Sequence, residues 1–308
     1  MPTLEYLWVY FTSPLPLIAV AVPTIVASGI GLSLRKKEMK PATRSRFLLL
    51  LLTFSMFVWT FLASSVIACS FVWEAYETSS ALGVKVVLGS ALIVAIGLSI
   101  PLSFAIRSFA SSLVLGRLRI QPFTDHRVHG IFDNLKETMK LGGVSILETN
   151  LQEPVSLALD KPEQSVVVSK RLSSLLDEEE LRAVLAHELS HIRNGDSTFK
   201  TVISTYTRIL LVDPVMRFVE PAYHREREYL ADETAAYCTQ NPLALASALI
   251  KIHQALPSVT RGWFSALNIA GSSRGLFAKH PPLEKRVERL IRLSEKLMQN
   301  ALGTKQSP

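Results

Sequence analysis

The sequence predicts a mainly α membrane protein, with three N-terminal transmembrane helices followed by a mostly helical domain that carries a small β-hairpin or sheet. Its composition is the first observation behind this prediction. Of the 308 residues, 48% are hydrophobic and only 19% are charged, and the mean hydropathy is +0.27. Soluble domains carry more charge than this. The second observation is that the first third of the chain contains three long apolar runs.

Each apolar run is long enough to cross a bilayer as a helix. The runs cover about residues 15–34, 47–73 and 81–106, and roughly 20 helical residues span the hydrocarbon layer. Lys85 interrupts the third run close to its start, where its long side chain can reach the interface. We therefore expect a transmembrane region at residues 1–106, a second domain at 107–300 and a tail at 301–308.

The distribution of basic residues predicts the orientation in the membrane. Six of them lie between the first two runs: Arg35, Lys36, Lys37, Lys40, Arg44 and Arg46. Basic loops of this kind face the cytoplasm, which places the N-terminus outside and everything after about residue 107 inside. The basic loop accounts for much of the net charge of +7. The three apolar runs indicate a multi-pass protein of the cell membrane, in contact with the lipid bilayer. No nucleic-acid partner is expected, because the chain has no nucleic-acid motif.

The stretch His187-Glu188-Leu189-Ser190-His191 has the form H-E-x-x-H. Within a helix this spacing places both imidazoles on one face, one turn apart, where they can bind a single zinc ion. The intervening Glu188 would then face the open position of the metal and could take a proton from water. Asp177 and three acidic residues after it predict the start of this helix, and Asn194-Gly195-Asp196 predicts its end.

A second helix supplies the candidate third ligand. Glu228-Tyr229-Leu230-Ala231-Asp232 has the form E-x-x-A-D, and two histidines with one glutamate are a common set of catalytic zinc ligands. Asp232, one turn after Glu228, could accept the N–H of a ligating histidine. The rival carboxylates Glu226 and Glu233 point about 160° and 140° away from Glu228 on a helical wheel. We therefore predict one Zn²⁺ per chain.

Two strand-like runs precede the metal helix. Residues 155–159 and 165–169 are separated by a few turn-forming residues and predict a hairpin. The segment Val155-Ser156-Leu157-Ala158 could bind an extended polypeptide by main-chain pairing at a sheet edge. An ordinary structural hairpin explains the pattern equally well. Further on, residues 198–212 predict a core helix or a membrane-surface helix, and Pro214 and Pro221 bracket a short further piece.

Three motifs together resemble those of the HtpX-like and CAAX prenyl protease family of integral-membrane zinc metallopeptidases. They are residues 184–191, residues 228–232 and His280-Pro281-Pro282-Leu283-Glu284-Lys285-Arg286. The resemblance covers about residues 107–295 and implies a mainly helical, gluzincin-type fold. It implies that His187, His191 and Glu228 are zinc ligands and that Glu188 is the catalytic base. It also implies that His280 and Arg286 lie near the site, as oxyanion or structural partners.

The chain departs from that family in two respects. The edge strand of the family often reads Asn-Ala-x-Ala, whereas residues 155–158 here read Val-Ser-Leu-Ala. The CAAX prenyl proteases also have more membrane spans than the three predicted here. Residues 180–250 resemble, in addition, the membrane-bound sensor metallopeptidases that respond to β-lactams, but no extracellular sensor domain is apparent.

The resemblance implies a membrane-bound zinc endopeptidase that cleaves membrane or membrane-proximal polypeptides, as in HtpX-like protein quality control. Two alternatives remain at this point. One is a regulatory signalling protease that cuts a single partner. The other is a non-catalytic membrane scaffold, against which the intact Glu188 argues, since a purely structural site needs no base.

Overall fold

The computed structural model describes residues 39–78, 120–159, 163–196, 214–256 and 280–304, together with a few isolated positions. Helix α1 spans Pro41–Thr78 and includes the whole predicted run at 47–73. Within the described residues, Pro41–Trp59 is the one stretch that is long and apolar enough to cross a membrane, as judged by length and composition. Apart from isolated positions, the predicted spans at 15–34 and 81–106 lie outside the described residues.

The chain divides into two compact units. The first comprises Met1–Arg107 and Val202–Glu220, and the second comprises Ser108–Thr201 and Pro221–Pro308. Apart from Ile203, the predicted helix at 198–212 lies outside the described residues. The rest of this section concerns the second unit, which contains every candidate site residue.

A four-stranded mixed sheet forms one side of the second unit. Its strands are β1 (Ile120–Pro122), β2 (Ser145–Thr149), β3 (Ser156–Leu159) and β4 (Ser165–Ser169), in the order β1-β2-β4-β3. Strands β3 and β4 pair antiparallel, which confirms the predicted hairpin, and β2 runs parallel to β4. Strands β1 and β2 were not predicted from the sequence. With β4 in the interior of the sheet, β3 is left at one edge.

The other described elements are helices. They are α2 (His126–Met139), α3 (Lys170–Leu175), α4 (Glu178–Arg193), α5 (Pro214–Thr239), α6 (Pro242–Ala255) and α7 (Leu283–Thr304). The protein is therefore mainly helical with a small mixed sheet, as expected. Pro214 and Pro221, which the sequence suggested as the limits of a short separate piece, lie in one continuous helix α5, with Pro221 inside it.

Helix α4, which carries H-E-x-x-H, begins and ends as predicted. Asp177 is its N-cap and accepts the backbone N–H of Glu180 at 2.9 Å, while Glu180 accepts the backbone N–H of Asp177 at 3.0 Å. This reciprocal capping box satisfies two backbone donors that the first turn cannot pair internally. Glu180 also binds Ser247 at 2.7 Å and Lys251 at 2.6 Å, which attaches the start of α4 to α6.

Two apolar clusters cover the faces of the sheet. The larger one joins one face of the sheet to all six helices of the second unit, and nearly every apolar side chain of α4 is buried in it. The smaller one lies on the opposite face and consists of Val155, Leu157, Leu159 and Val167. Because side chains alternate along a strand, Ser156 lies on the face of β3 that packs against α4.

Candidate metal centre

The two histidines of H-E-x-x-H face each other at the centre of the second unit. Their ring centroids are 4.8 Å apart and their Nε2 atoms are 3.1 Å apart. The exposed fraction is 1% for His187 and 5% for His191. The four-residue spacing therefore places both imidazoles on one face of the helix, as helical geometry predicts, and both Nε2 atoms point to one position.

Glu228 of helix α5 completes a group of three. Its Oε1 lies 3.5 Å from His191 Nε2, and its Oε2 lies 3.6 Å from His187 Nε2. The ligand atoms of the three buried residues all lie within 4.8 Å of one another. The rival carboxylates Glu226 and Glu233 are not part of this group, in agreement with the helical-wheel prediction.

The spacing of these atoms fits a zinc ion. Ligands at 2.0–2.1 Å from a tetrahedral ion stand about 3.3 Å apart. The two Nε2 atoms are 3.1 Å apart, and each lies 3.5 or 3.6 Å from one oxygen of the Glu228 carboxylate, Oε1 for His191 and Oε2 for His187, so the contacts are close to that value. Two imidazoles and one carboxylate also form a donor set that is typical of catalytic zinc. The residues present therefore fit a metal ion in both chemistry and separation.

Each histidine is oriented by an aspartate behind it. His187 Nδ1 lies 3.0 Å from Asp232 Oδ1, and His191 Nδ1 lies 2.7 Å from Asp196 Oδ2. An ionised carboxylate can only accept a hydrogen bond, so the proton of each ring belongs on Nδ1. The lone pairs of both Nε2 atoms are then directed towards the position that the three ligands share.

The sequence predicted the role of Asp232 but missed that of Asp196. Asn194-Gly195-Asp196 was interpreted only as the end of a helix. Gly195 adopts a left-handed conformation with φ of 65°, and the buried carboxylate that follows it contacts His191. Arg227 of α5 forms an ion pair with the second oxygen of Asp196. An acid after a helix-ending glycine is too common for the sequence alone to give it this role.

A fully buried arginine balances the carboxylates. Arg286 of α7 donates to Asp232 through Nε at 2.8 Å and through Nη2 at 2.5 Å, and its Nη1 lies 3.7 Å from Glu228 Oε2. Burial by itself would raise the pKa of Asp232, but Arg286 and His187 hold that pKa below its usual value. Burial would lower the pKa of Arg286, but Asp232 and Glu228 raise it. Both side chains are therefore charged at neutral pH.

The carboxylates of Asp232 and Glu228 also raise the pKa of His187. Burial would lower the pKa of this imidazole, but hydrogen bonding to Asp232 and Glu228 outweighs burial and raises the pKa to about 9. In the absence of a metal, His187 therefore carries a second proton, on Nε2, at neutral pH. A metal ion has to displace that proton, so metal binding is expected to weaken as the pH falls.

Glu188 is buried beside the ligands and contacts the sheet. Its exposed fraction is 3%, and its Oε1 accepts a hydrogen bond of 2.7 Å from the hydroxyl of Ser156 in the edge strand β3. Of the other strand residues singled out, Val155 and Leu157 belong to the small cluster on the opposite face, and Ala158 packs against the main core.

His280 lies just before helix α7 and completes the set of predicted residues. Its Nδ1 is 3.7 Å from Glu228 Oε2, and its side chain is 13% exposed, compared with 2% for Arg286. The structure thus brings His280 and Arg286 to the same carboxylate, one at the margin of the site and the other in its interior.

Replacing Asp196 by asparagine is expected to weaken zinc binding by roughly 10- to 100-fold, because the orienting partner of a ligating imidazole is lost. Zinc content after dialysis against graded chelator concentrations measures this effect. Asn194→Ala is the matched control, since among the described residues the Asn194 side chain donates to the backbone oxygen of Ser190 in the same turn and to no zinc-site residue. Equal zinc retention by the two variants would contradict the orienting role of Asp196.

Comparison with known proteins supports the same chemistry. The family model described as BlaR1 peptidase M56 matches residues 62–267, more than half of the chain. A Protease HtpX homolog from Salinibacter ruber is 30% identical over 222 residues, which cover 59% of this chain and 80% of that protein. The Protease HtpX homolog of Pyrococcus furiosus is 27% identical over 271 residues, which cover 71% and 93%.

Among solved structures, the crystal structure of Ste24p from S. mikatae aligns with a TM-score of 0.42 and 14% identity, covering 74% of this chain and 64% of that one. The family assignment rests on the sequence matches and on the buried His187, His191 and Glu228. The chain belongs to the BlaR1 peptidase M56 family and, together with the HtpX proteases, is a membrane-bound metallopeptidase.

Proposed function

We propose that this protein is a zinc-dependent endopeptidase in which His187, His191 and Glu228 hold one Zn²⁺ and Glu188 is the general base. The observation that carries the proposal is the convergence of the three buried ligand atoms within 4.8 Å of one another, with the Glu188 carboxylate next to His187 on the same helix. A site that served only to stabilise the fold would have no use for this additional buried carboxylate.

A bound zinc ion would supply Lewis acidity, which polarises the scissile carbonyl and makes water easier to deprotonate. Glu188 accepts a proton from the attacking water as the water oxygen bonds to the carbonyl carbon. The same carboxyl group then returns the proton to the leaving nitrogen as the C–N bond breaks. The products are one new carboxyl group and one new amine, and Glu188 ends in its starting state.

The positions of His280 and Arg286 support different roles for them. Arg286 is completely enclosed and bound to Asp232 through two nitrogens, so it compensates the negative charge of the carboxylates. His280 is partly exposed and could donate a hydrogen bond to a substrate oxygen that gains charge in the transition state. We therefore assign the oxyanion role to His280 and the structural role to Arg286.

The substrates that we propose are polypeptides of the membrane or its surface. The HtpX relatives are named proteases, and protein quality control in the membrane is the function that we extend to this chain. The edge position of β3 in the sheet supports binding of an extended segment along residues 155–158 by main-chain hydrogen bonds.

The topology that we propose follows from the basic loop at residues 35–46. With three spans at about 15–34, 47–73 and 81–106, the N-terminus lies outside the cell and residues 107–300 form a cytoplasmic catalytic domain. The long apolar helix α1 supports the second of these spans.

Glu188→Gln is expected to abolish cleavage of casein by the detergent-purified protein while leaving one zinc per chain, because glutamine cannot accept the proton and Glu188 is not a ligand. His187→Ala and Glu228→Ala are expected to lose both zinc and cleavage. Activity and metal content are measured on the same preparations, with zinc removed and then restored.

Glu233→Gln is the matched control for these variants. It removes a carboxylate from the same helix as Glu228, outside the group of three, and should keep both zinc and activity. A Glu228→Ala protein with full zinc would refute the ligand assignment, and loss of zinc in Glu188→Gln would make that residue structural. If neither wild type nor Glu188→Gln cleaves casein although both bind zinc, a narrowly specific signalling protease or a scaffold would be favoured.

Reporter fusions test the topology. A reporter active only in the cytoplasm should be active when fused after residue 308 and inactive when inserted at the end of helix α1, near Glu74 and Glu77, where the sequence contains no basic residue. A reporter active only outside should give the reverse. An external position for residue 308 would overturn the proposed orientation, whatever the outcome of the cleavage assays.

A further inference from the structure

The hydroxyl of Ser156 contacts the carboxylate proposed as the base. Ser156 Oγ donates to Glu188 Oε1 at 2.7 Å, across 32 positions of sequence, and both side chains are almost completely buried. A hydrogen bond to a charged acceptor in such a buried site is considerably stronger than one between neutral groups. The contact therefore restricts how the Glu188 side chain can rotate.

The register of strand β3 places this hydroxyl against α4. Two hydrogen bonds fix the start of β3 against Ser169, the last residue of β4. The backbone N–H of Ser169 donates to the carbonyl oxygen of Val155 at 2.9 Å, and the Oγ of Ser169 accepts the backbone N–H of Val155 at 3.0 Å. The same Oγ accepts the backbone N–H of Leu172 at 3.2 Å and so caps helix α3. A slip of one residue would turn an apolar side chain, Val155 or Leu157, towards Glu188.

We propose that Ser156 is a positioning residue for the base. Its hydroxyl has a single proton to donate, which holds Oε1 of Glu188 and leaves Oε2 as the oxygen that takes the proton from water. Fixing the carboxylate before the reaction removes the cost of orienting it during the reaction. This inference rests on the proposed peptidase function, and it connects the base to the same edge strand on which we expect the substrate to lie.

Removal of the hydroxyl should affect turnover and not substrate or metal binding. In Ser156→Ala, kcat is expected to fall roughly tenfold or more, as for other losses of alignment, with KM and zinc content unchanged. Ser156→Thr keeps the hydroxyl and should recover most of the lost kcat. Kinetics on a quenched-fluorescence peptide and zinc analysis of the full-length, detergent-purified protein measure these quantities.

Ser165→Ala is the matched control. Ser165 is a buried serine of the same sheet, 3% exposed, opposite Leu159 rather than next to the base. Its substitution removes the same atom from a similar environment and should leave kcat unchanged. A Ser156→Ala protein that behaves like Ser165→Ala would refute the inference, as would a change confined to KM or to zinc content.

A second measurement covers the case in which threonine does not fit the buried site. Ser156→Ala, Glu188→Ala and the double variant form a cycle in which thermal stability is measured. A direct contact predicts that the two effects are not additive, and additive effects would refute the contact. If the wild-type protein does not cleave the peptide, both the proposed peptidase function and this inference are refuted. If wild type and Ser156→Ala cleave the peptide with the same kcat, the inference about Ser156 is refuted and the proposed function stands.

Discussion

The ion pair between Asp232 and Arg286 is the interaction on which the rest of the site depends. Asp232 lies on α5, contacts His187 of α4 and is bound by Arg286 of α7, so one carboxylate connects three helices. Taking such charges out of water costs several kcal/mol per ion unless they are paired. Glu228 is buried in the same place and also lies near Arg286. The arginine therefore makes it possible to keep two carboxylates beside two imidazoles in the interior.

The residues of the centre could be predicted from the sequence where their relation is helical. The spacings between His187 and His191, and between Glu228 and Asp232, place both members of each pair on one helical face, and the structure has them so. Asp196 and the hydroxyl of Ser156 could not be predicted in this way. Their contacts depend on the turn at Gly195 and on the register of β3, which are set by tertiary packing rather than by local periodicity.

The same distinction between local pattern and tertiary packing explains which parts of the fold could be predicted. The hairpin of β3 and β4 was predicted because it consists of short β-branched and apolar runs around a turn. Strand β1 has only three residues, one of them proline, and β2 contains Glu148, which is buried but bound to Gln121 and Lys170. A buried, paired glutamate looks like a surface residue in a sequence, so β2 was missed. Pro221 suggested a break in what is one helix, because the tolerance of proline depends on the surrounding structure.

The central claim is that two histidines and one glutamate hold a single zinc ion. X-ray absorption at the zinc edge of the purified wild-type protein tests it most directly, together with metal analysis. The account predicts one zinc per chain, nitrogen and oxygen neighbours at about 2.0–2.1 Å, an imidazole signal from two histidines, and no sulfur neighbour. A sulfur neighbour at about 2.3 Å, a single imidazole, or zinc well below one per chain after reconstitution would contradict it.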